Sequence, residues 1–335
     1  MKEVELKMLE RAKELLASGE VARVIGWKKG EFCFDPAPAS FETVEELENG
    51  FVYDYFCGAN LSKYLIQMSK KEGKTAVFLK PCDTYSFNQL VKEHRIKREN
   101  VYVIAIECLG KLDIEKIKAA GVSVVTGVEV QDKEVKVTSL YGEKTLYKPD
   151  VILTKCETCQ KTHQVKDEEI ILHERPERDV DRFSEVAKLE AMTEDERFAF
   201  WREQLSKCIR CNACRNVCPA CSCVKCVFDN PASGIAAKAN DDKFEEQLFH
   251  VIRAFHVSGR CTDCGECSRV CPQNIPLHLL NRKFIKDIDT LYGEYQAGED
   301  AEGKTPLTSF TEGDVEPKDV FQGEAKLCIE SQKKI

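Results

Sequence analysis

Two cysteine runs in this chain share one spacing, in which three thiols lie close together and a fourth precedes a proline. They are Cys208, Cys211, Cys214 and Cys218-Pro219, and Cys261, Cys264, Cys267 and Cys271-Pro272. Four thiolates at the spacing C-x2-C-x2-C-x3-C-P are typical of 4Fe-4S ligation, with three corners of a cubane held by the compact part of the run. Because the pattern occurs twice, the sequence predicts two 4Fe-4S clusters.

Tetrahedral zinc, which also binds four thiolates, is the alternative for each run. Zinc ribbons usually present two separated C-x2-C pairs, whereas each run here sets a single cysteine apart from a group of three. In chains that hold two cubanes, the fourth cysteine of each run ligates the other cluster. We therefore expect one cluster on Cys208, Cys211, Cys214 and Cys271. The second cluster is expected on Cys261, Cys264, Cys267 and Cys218.

A third candidate site lies in the first half of the chain, after apolar segments that end at Leu79, Ile106 and Leu153. Each segment is predicted to be a buried strand, and parallel strands gather ligands at their carboxyl ends. The thiols that follow are Cys82, Cys108, Cys156 and Cys159. Cysteine is also a common small buried residue, which is the simpler interpretation of any one of them. Together the four predict a third cluster or a zinc site.

A further group of thiols, directly after the first run, has no evident fourth partner nearby. Its members are Cys221, Cys223 and Cys226. Cys57 and Cys33 could reach them only if the two halves of the chain pack suitably. One hypothesis is a fourth metal site, and the other is a set of structural thiols that line a cluster pocket. The lone Cys328 is predicted to bind no metal.

Charge and hydropathy limit the classes of partner for these sites. A net charge of -8 over 335 residues argues against sequence-independent binding to nucleic acid or to anionic membrane. The longest apolar stretches are too short for membrane insertion, and the amino terminus lacks the features of a signal peptide. Eighteen cysteines without such a signal indicate a reducing cytoplasm, where thiols stay available to metal. Oxygen sensitivity of the clusters favours an anaerobic source.

The elements that must position the thiols divide the chain into two halves. In the first half, predicted strands over 75–79 and 101–106 flank a helix over 84–94, which is a parallel unit with a right-handed crossover. A packing helix is predicted over 4–16, another helix over 114–120, and alternating β-branched residues over 122–137. Helical periodicity over 190–205 and 244–257 surrounds the cysteine runs of the second half.

We thus predict an α/β protein, in which a small parallel or mixed sheet precedes an α-helical domain for two clusters and an extended acidic tail. The predicted boundaries are 1–162 for the α/β domain, 163–189 for a linker, 190–292 for the helical domain and 293–335 for the tail. Arginines near the ligands either counter the cluster charge or are ordinary solvated residues. They are Arg210, Arg215, Arg253, Arg260 and Arg269. His250 and His256 are predicted to be packed or surface residues instead of ligands.

Two parts of the chain carry resemblances to known families. The segments Lys80-Pro81-Cys82-Asp83, Ile106-Glu107-Cys108-Leu109-Gly110 and Lys155-Cys156-Glu157-Thr158-Cys159 resemble the cluster-binding places of the beta-subunit family of deazaflavin-coenzyme-reducing hydrogenases and formate dehydrogenases. The stretch from Cys208-Ile209-Arg210-Cys211 to Asn274-Ile275-Pro276-Leu277 resembles helical dicluster ferredoxins of the heterodisulfide-reductase and succinate-dehydrogenase type. The resemblance covers roughly residues 50 to 290.

The beta-subunit resemblance implies FAD as a cofactor, because members of that family bind FAD and pass electrons to a deazaflavin. This sequence departs from the family at two motifs. The usual Gly-Thr-Pro-Cys-Gln is replaced by Leu79-Lys80-Pro81-Cys82-Asp83, and the Asp that follows the family's C-x-x-C is replaced by Gln160-Lys161. There is also no phosphate loop of the G-x-G-x-x-G type, so the chain either has lost the flavin of its relatives or holds it by other residues.

These features predict an iron-sulfur electron-transfer subunit of a cytoplasmic redox complex. It would relay electrons between a hydrogenase, formate dehydrogenase or flavin-based bifurcating partner and another acceptor. Expected partners are other redox subunits, including a heterodisulfide-reductase-like flavoprotein, and a ferredoxin. Such a relay needs no catalytic acid, base or nucleophile. The alternatives are an FAD-containing reductase subunit that transfers hydride to or from a deazaflavin or nicotinamide, and a zinc-stabilised scaffold.

Overall fold

The structure is a computed structural model that describes residues 1–160, 164–171, 180–230 and 243–307. Its strands are β1 Arg23–Lys28, β2 Ala37–Phe41, β3 Thr75–Leu79, β4 Val101–Ile106, β5 Val125–Gln131, β6 Glu134–Ser139, β7 Gly142–Tyr147 and β8 Glu169–Ile171. Its helices are α1 Lys2–Ala17, α2 Val44–Gly50, α3 Leu65–Met68, α4 Pro81–Lys92, α5 Ile114–Ala119, α6 Thr154–Glu157, α7 Ser184–Glu190, α8 Glu194–Leu205, α9 Ala213–Val217, α10 Lys243–Val257, α11 Glu266–Arg269 and α12 Leu277–Tyr292. Cys328 lies outside the described residues.

Five strands form a mixed sheet in the order β2-β1-β3-β4-β8. The pairs β1–β3, β3–β4 and β4–β8 are parallel, and β2 adds an antiparallel edge. Every residue of β3 is buried, as expected of a central parallel strand that is covered on both faces. The prediction of an α/β protein is confirmed, and β8 comes from the segment that was predicted to be a linker.

Helix α4 begins three residues earlier than the predicted residue 84. Pro81 occupies its first turn after an extended Lys80, and proline suits that position because its missing N–H would lack a partner there in any case. As a result, Cys82 lies in the first turn of a helix, directly after the carboxyl end of β3.

A second, three-stranded antiparallel sheet contains β5, β6 and β7. Val135 and Val137 point into a small core that also includes Ile117 of α5. The prediction of a strand that ends at Leu153 was wrong. Residues 148–151 form a 3₁₀ turn, and Ile152 makes only an isolated bridge to Leu112. Pro149 within this turn cannot donate to a ladder hydrogen bond, and the apolar run after it is only three residues long.

The second half of the described chain is helical, with α10 packed against both α8 and α12, and α9 against α11. Residues 293–307 contain no helix or strand and fold back over the first half. The Asn88 side-chain amide donates to the Glu299 carbonyl at 3.3 Å, and Lys92 pairs with Asp300 at 3.0 Å. None of the helices in the described ranges combines the length and apolar character needed to cross a bilayer.

A buried ion network joins the two halves. The Lys155 ammonium donates to the Gly58 carbonyl at 2.8 Å and pairs with Glu266, and Arg269 contacts both oxygens of that carboxylate at 2.8 Å. Glu266 is fully buried, and its carboxylate also accepts a hydrogen bond from the Asn60 backbone N–H at 3.1 Å. Burial alone would raise the pKa of Glu266, but the charges and hydrogen bonds of Arg269 and Lys155 outweigh it and hold that pKa well below its ordinary value.

Replacing Glu266 with Gln should lower the free energy of unfolding by about 3–5 kcal/mol, because it leaves two cations without their counter-charge in a buried site. Anaerobic urea unfolding of the intact chain measures the change. Glu203→Gln is the matched control, since Glu203 and Lys207 form an exposed pair at 3.8 Å; its loss should cost under about 1 kcal/mol. Equal losses for the two variants would contradict a structural role for the network.

Candidate metal centres

One small cavity is lined by the first three cysteines of the first run together with the last cysteine of the second run. These are Cys208, Cys211, Cys214 and Cys271, which we call the first quartet. Contact between α9 and α11 holds the two runs together. The structure thus brings together the four thiols that the crossed arrangement requires.

The second quartet is Cys261, Cys264, Cys267 and Cys218. Cys218 packs with Cys261 in a small apolar cluster that includes Val257. Burial raises the pKa of Cys264 and of Cys267, to about 12 for Cys267, and negative charge at Cys218 raises both further. Such an electrostatic effect requires Cys218 to lie near the three thiols of the other run.

The two runs share their backbone turns as well as their spacing. Arg210 and Asn212 in the first run have φ of 53° and 61°, and the equivalent Asp263 and Gly265 have 57° and 67°. Alternation of right- and left-handed residues turns successive N–H groups to one side, a concavity found at anion and iron-sulfur sites. At Gly265 a glycine is also required because an added Cβ would lie 2.3 Å from the Lys155 Cβ.

The cysteine sulfurs are not grouped as closely as a single zinc ion would require. Among the described residues, the one group of three metal-ligand atoms within 4.8 Å of one another is Cys208, Glu246 and His250, so no three cysteine sulfurs are that close. Four thiolates on one zinc would lie about 3.8 Å apart, given Zn–S bonds of about 2.3 Å. The donor sets and the backbone turns therefore fit 4Fe-4S clusters.

A cavity of about 240 Å³ brings together the four thiols of the first half. They are Cys82, Cys108, Cys156 and Cys159, which we call the third quartet. Cys108 follows β4 by two residues, whereas Cys156 lies in α6 and not after a strand of the sheet. Cys264 of the second quartet lines the same cavity. The second and third quartets are thus neighbours.

Buried lysines surround the third quartet. Lys111 is 1% exposed, donates to the Asp54 carbonyl at 2.7 Å and lies 3.8 Å from the Tyr53 ring centre. Lys80 pairs with Asp83 at 2.7 Å. Burial, with negative charge at Cys108, raises the pKa of Cys156 to about 11. Without metal the Cys156 thiol would be protonated at neutral pH, so metal binding to its sulfur must release that proton.

The thiols Cys221, Cys223 and Cys226 line a wider cavity of about 790 Å³, but they make different contacts. A hydrogen bond from the Cys221 thiol lowers the pKa of Cys218 to about 5, so Cys221 lies beside the second quartet. The Cys226 sulfur accepts a hydrogen bond from Arg215, and Arg215 also forms an ion pair with Asp229 at 2.8 Å. Cys57 bonds locally to Asp54, Cys33 is exposed, and neither lines this cavity.

Arg253, which is buried, and Lys63, which is half-buried, are cations near the second quartet. Arg253 is 3% exposed and donates to the Cys214 carbonyl at 3.1 Å, and its pKa is raised by thiolate charge at Cys218 and Cys214 despite its burial. The Lys63 ammonium donates to the carbonyls of Cys218, at 2.7 Å, and of Cys221. No local motif marks Lys63 as part of the site, since it is distant in sequence from both runs.

Known proteins are similar to this chain. The 4Fe-4S dicluster domain family matches residues 204–275. The F420-dependent formate dehydrogenase subunit beta of Methanocaldococcus jannaschii is 25% identical, with 83% of this chain and 88% of that protein covered. The F420-dependent formate dehydrogenase 1 subunit beta of Methanococcus maripaludis is 27% identical, with 64% and 72% covered.

A solved structure of the F420-reducing [NiFe] hydrogenase complex from Methanosarcina barkeri gives a TM-score of 0.35 at 15% identity. The match covers 47% of this chain and 63% of that chain, less than two thirds of its length. The chain is an iron-sulfur protein with a 4Fe-4S dicluster domain in its second half. It is a homologue of the beta subunits of F420-dependent formate dehydrogenases, which confirms the resemblance found in its sequence.

Replacing Cys271 with Ser should remove the cluster of the first quartet, because Cys271 is its only ligand from the second run. Iron content should fall by about four atoms, one cubane. Cys271→Ser and Cys208→Ser should lose the same EPR signal, that of the first quartet. Cys261→Ser should lose a different EPR signal, that of the second quartet. A Cys271→Ser spectrum that instead matches Cys261→Ser would refute crossed ligation.

Replacing Cys82 with Ser should lower iron by about four atoms and leave the signals of the dicluster domain in place. The matched control is Cys57→Ser, since Cys57 is buried in the same half but bonds to Asp54 and lines none of the three quartets. Iron and sulfide analysis of anaerobic protein checks both variants. Unchanged iron in Cys82→Ser would show that the third quartet holds no cluster.

Proposed function

We propose that this chain is the electron-transfer subunit of a multi-subunit redox complex and that electrons pass through three 4Fe-4S sites held by the three quartets. One observation carries the proposal: the quartets form a continuous series. The first and second share the two cysteine runs, and the second and third share the cavity that Cys264 lines. A series of this kind suits a relay between two partners at its ends.

Side chains of this chain affect the reduction potentials of the three sites. A 4Fe-4S cubane supplies one-electron chemistry, with potentials of about -700 to +450 mV that depend on charge, hydrogen bonds to sulfur and solvent exposure. Arg253 and Lys63 place positive charge beside the second quartet, and Lys111 does so beside the third. Positive charge near a site favours its reduced, more negative state. Arg253 and Lys111 are buried from water, so their charges are weakly screened.

Other redox subunits are the proposed partners, because the homologues are subunits of formate dehydrogenases. The segment after α12 also lines the cavity of the third quartet, through Glu294, Gln296 and Glu299. Its two glutamates place acidic groups at that cavity. The many free thiols fit a reducing cytoplasm. No side chain of the described residues is assigned a role in acid-base chemistry.

An FAD-containing reductase subunit is the second candidate. The names of two relatives include F420, a coenzyme that those proteins depend on. The cavity of about 790 Å³ lies within the usual range for cofactor sites of roughly 300–1,000 Å³. Lys63, Lys70 and Arg260 line it, which suits a ligand with phosphate groups.

Iron, sulfide, zinc and flavin per chain, measured on anaerobically isolated protein with its copurifying subunits, test these proposals. Three clusters give about twelve iron and twelve sulfide per chain. About sixteen iron would add a cluster on Cys221, Cys223 and Cys226, and stoichiometric FAD would favour the reductase. Zinc without iron, in folded protein that shows no spectral change with dithionite, would overturn the electron-transfer function.

A further inference from the structure

Helix α10 turns a polar stripe toward the cysteine quartets. Glu246, His250 and Arg253 recur at spacings of four and three residues, so they share one face of the helix. Each of them is 3% exposed or less. Buried helix faces are normally apolar, because burying a polar group without a partner costs free energy. A polar stripe in this place therefore requires partners of matching chemistry.

His250 has an unmet hydrogen-bonding requirement. Neither of its ring nitrogens has a hydrogen-bond partner among the residues that the structure describes. His278 is equally buried but differs, because its Nδ1 bonds with the Ser268 hydroxyl at 2.8 Å. A buried polar group left unsatisfied costs about 1–3 kcal/mol, so native proteins rarely keep one without a reason.

The His250 ring lies at the first quartet. It lines the cavity formed by the four thiols of that quartet, and its ring nitrogen lies within 4.8 Å of the Cys208 sulfur. An imidazole ring carries at least one N–H donor in either protonation state.

We propose that His250 donates its ring N–H to the Cys208 sulfur when the first quartet holds its cluster, and that this hydrogen bond raises the reduction potential of that cluster. The inference rests on the proposed electron-transfer function and deepens it. An N–H group stabilises negative charge on sulfur, and reduction increases that charge, so the donor favours the reduced state. His250 acts through Cys208 and is a positioning residue.

A single metal ion on Cys208, Glu246 and His250 is the competing arrangement, because these three ligand atoms lie close together. Cys208 is the first thiol of a complete cubane-spaced run, and the 4Fe-4S dicluster family match includes it. Three further thiols line the same cavity. These observations favour the cluster with His250 as a hydrogen-bond donor.

Pulsed EPR of dithionite-reduced protein labelled with ¹⁵N-histidine tests the contact directly. The expected result is a weak ¹⁵N coupling to the first cluster, present in His256→Phe and lost in His250→Phe. His256 is the matched control because it lies on the same helix but is exposed, with its ring tilted against that of Phe228 at 6.3 Å. Absence of coupling, the strong coupling of a direct ligand, or zinc at this site would overturn the inference.

Redox titration tests the consequence. In His250→Phe the midpoint potential of the first-quartet cluster should become more negative, while the iron content stays unchanged. The EPR signal of that cluster is the one that Cys208→Ser removes. His250→Asn and His250→Gln place an amide N–H near Nδ1 and Nε2 respectively, and one of them should restore the potential. An unchanged potential in His250→Phe, or loss of iron in all three variants, would overturn the inference. Wild-type protein without any iron-sulfur EPR signal would instead refute the electron-transfer function itself.

Discussion

Convergence of thiols from two distant cysteine runs is the constraint on which this fold depends. Cys271 must reach the thiols that begin at Cys208, and Cys218 must reach those that begin at Cys261. Helices α8, α10 and α12 and the matching left-handed turns at Arg210 and Asp263 allow both contacts. Since the ligands bind metal as thiolates, metal binding and formation of this half of the protein are coupled.

Negative charge at the quartets accounts for polar groups that would otherwise be unfavourable in a protein interior. Arg253 donates only to a backbone carbonyl in the described chain, and Lys63 bridges the carbonyls of Cys218 and Cys221. His250 has no hydrogen-bond partner among the described residues. Each of these groups would cost stability beside a neutral site, and each suits a site that carries anionic clusters.

Contact between the two halves turns separate sites into a series. Cys264 lines the cavity of the third quartet, and the ion pair between Lys155 of the first half and Glu266 of the second half crosses the same junction. Lys155 precedes Cys156, and Glu266 precedes Cys267, so each buried charge is adjacent to a thiol of a quartet. The network therefore fixes the position of the second quartet relative to the third while it holds the halves together.

Ligand spacing is a local property, and for that reason the sequence alone shows the two cysteine runs and predicts their crossed partners and the members of the third quartet. The strands β3 and β4 and the helices α1 and α10 also follow from local periodicity. Only the tertiary structure decided that 151–153 is no strand, that β8 joins the sheet, and that Lys63 and His250 face the quartets. Those outcomes depend on contacts between residues far apart in the chain, where the environment that a side chain meets is set by packing and not by its neighbours in sequence.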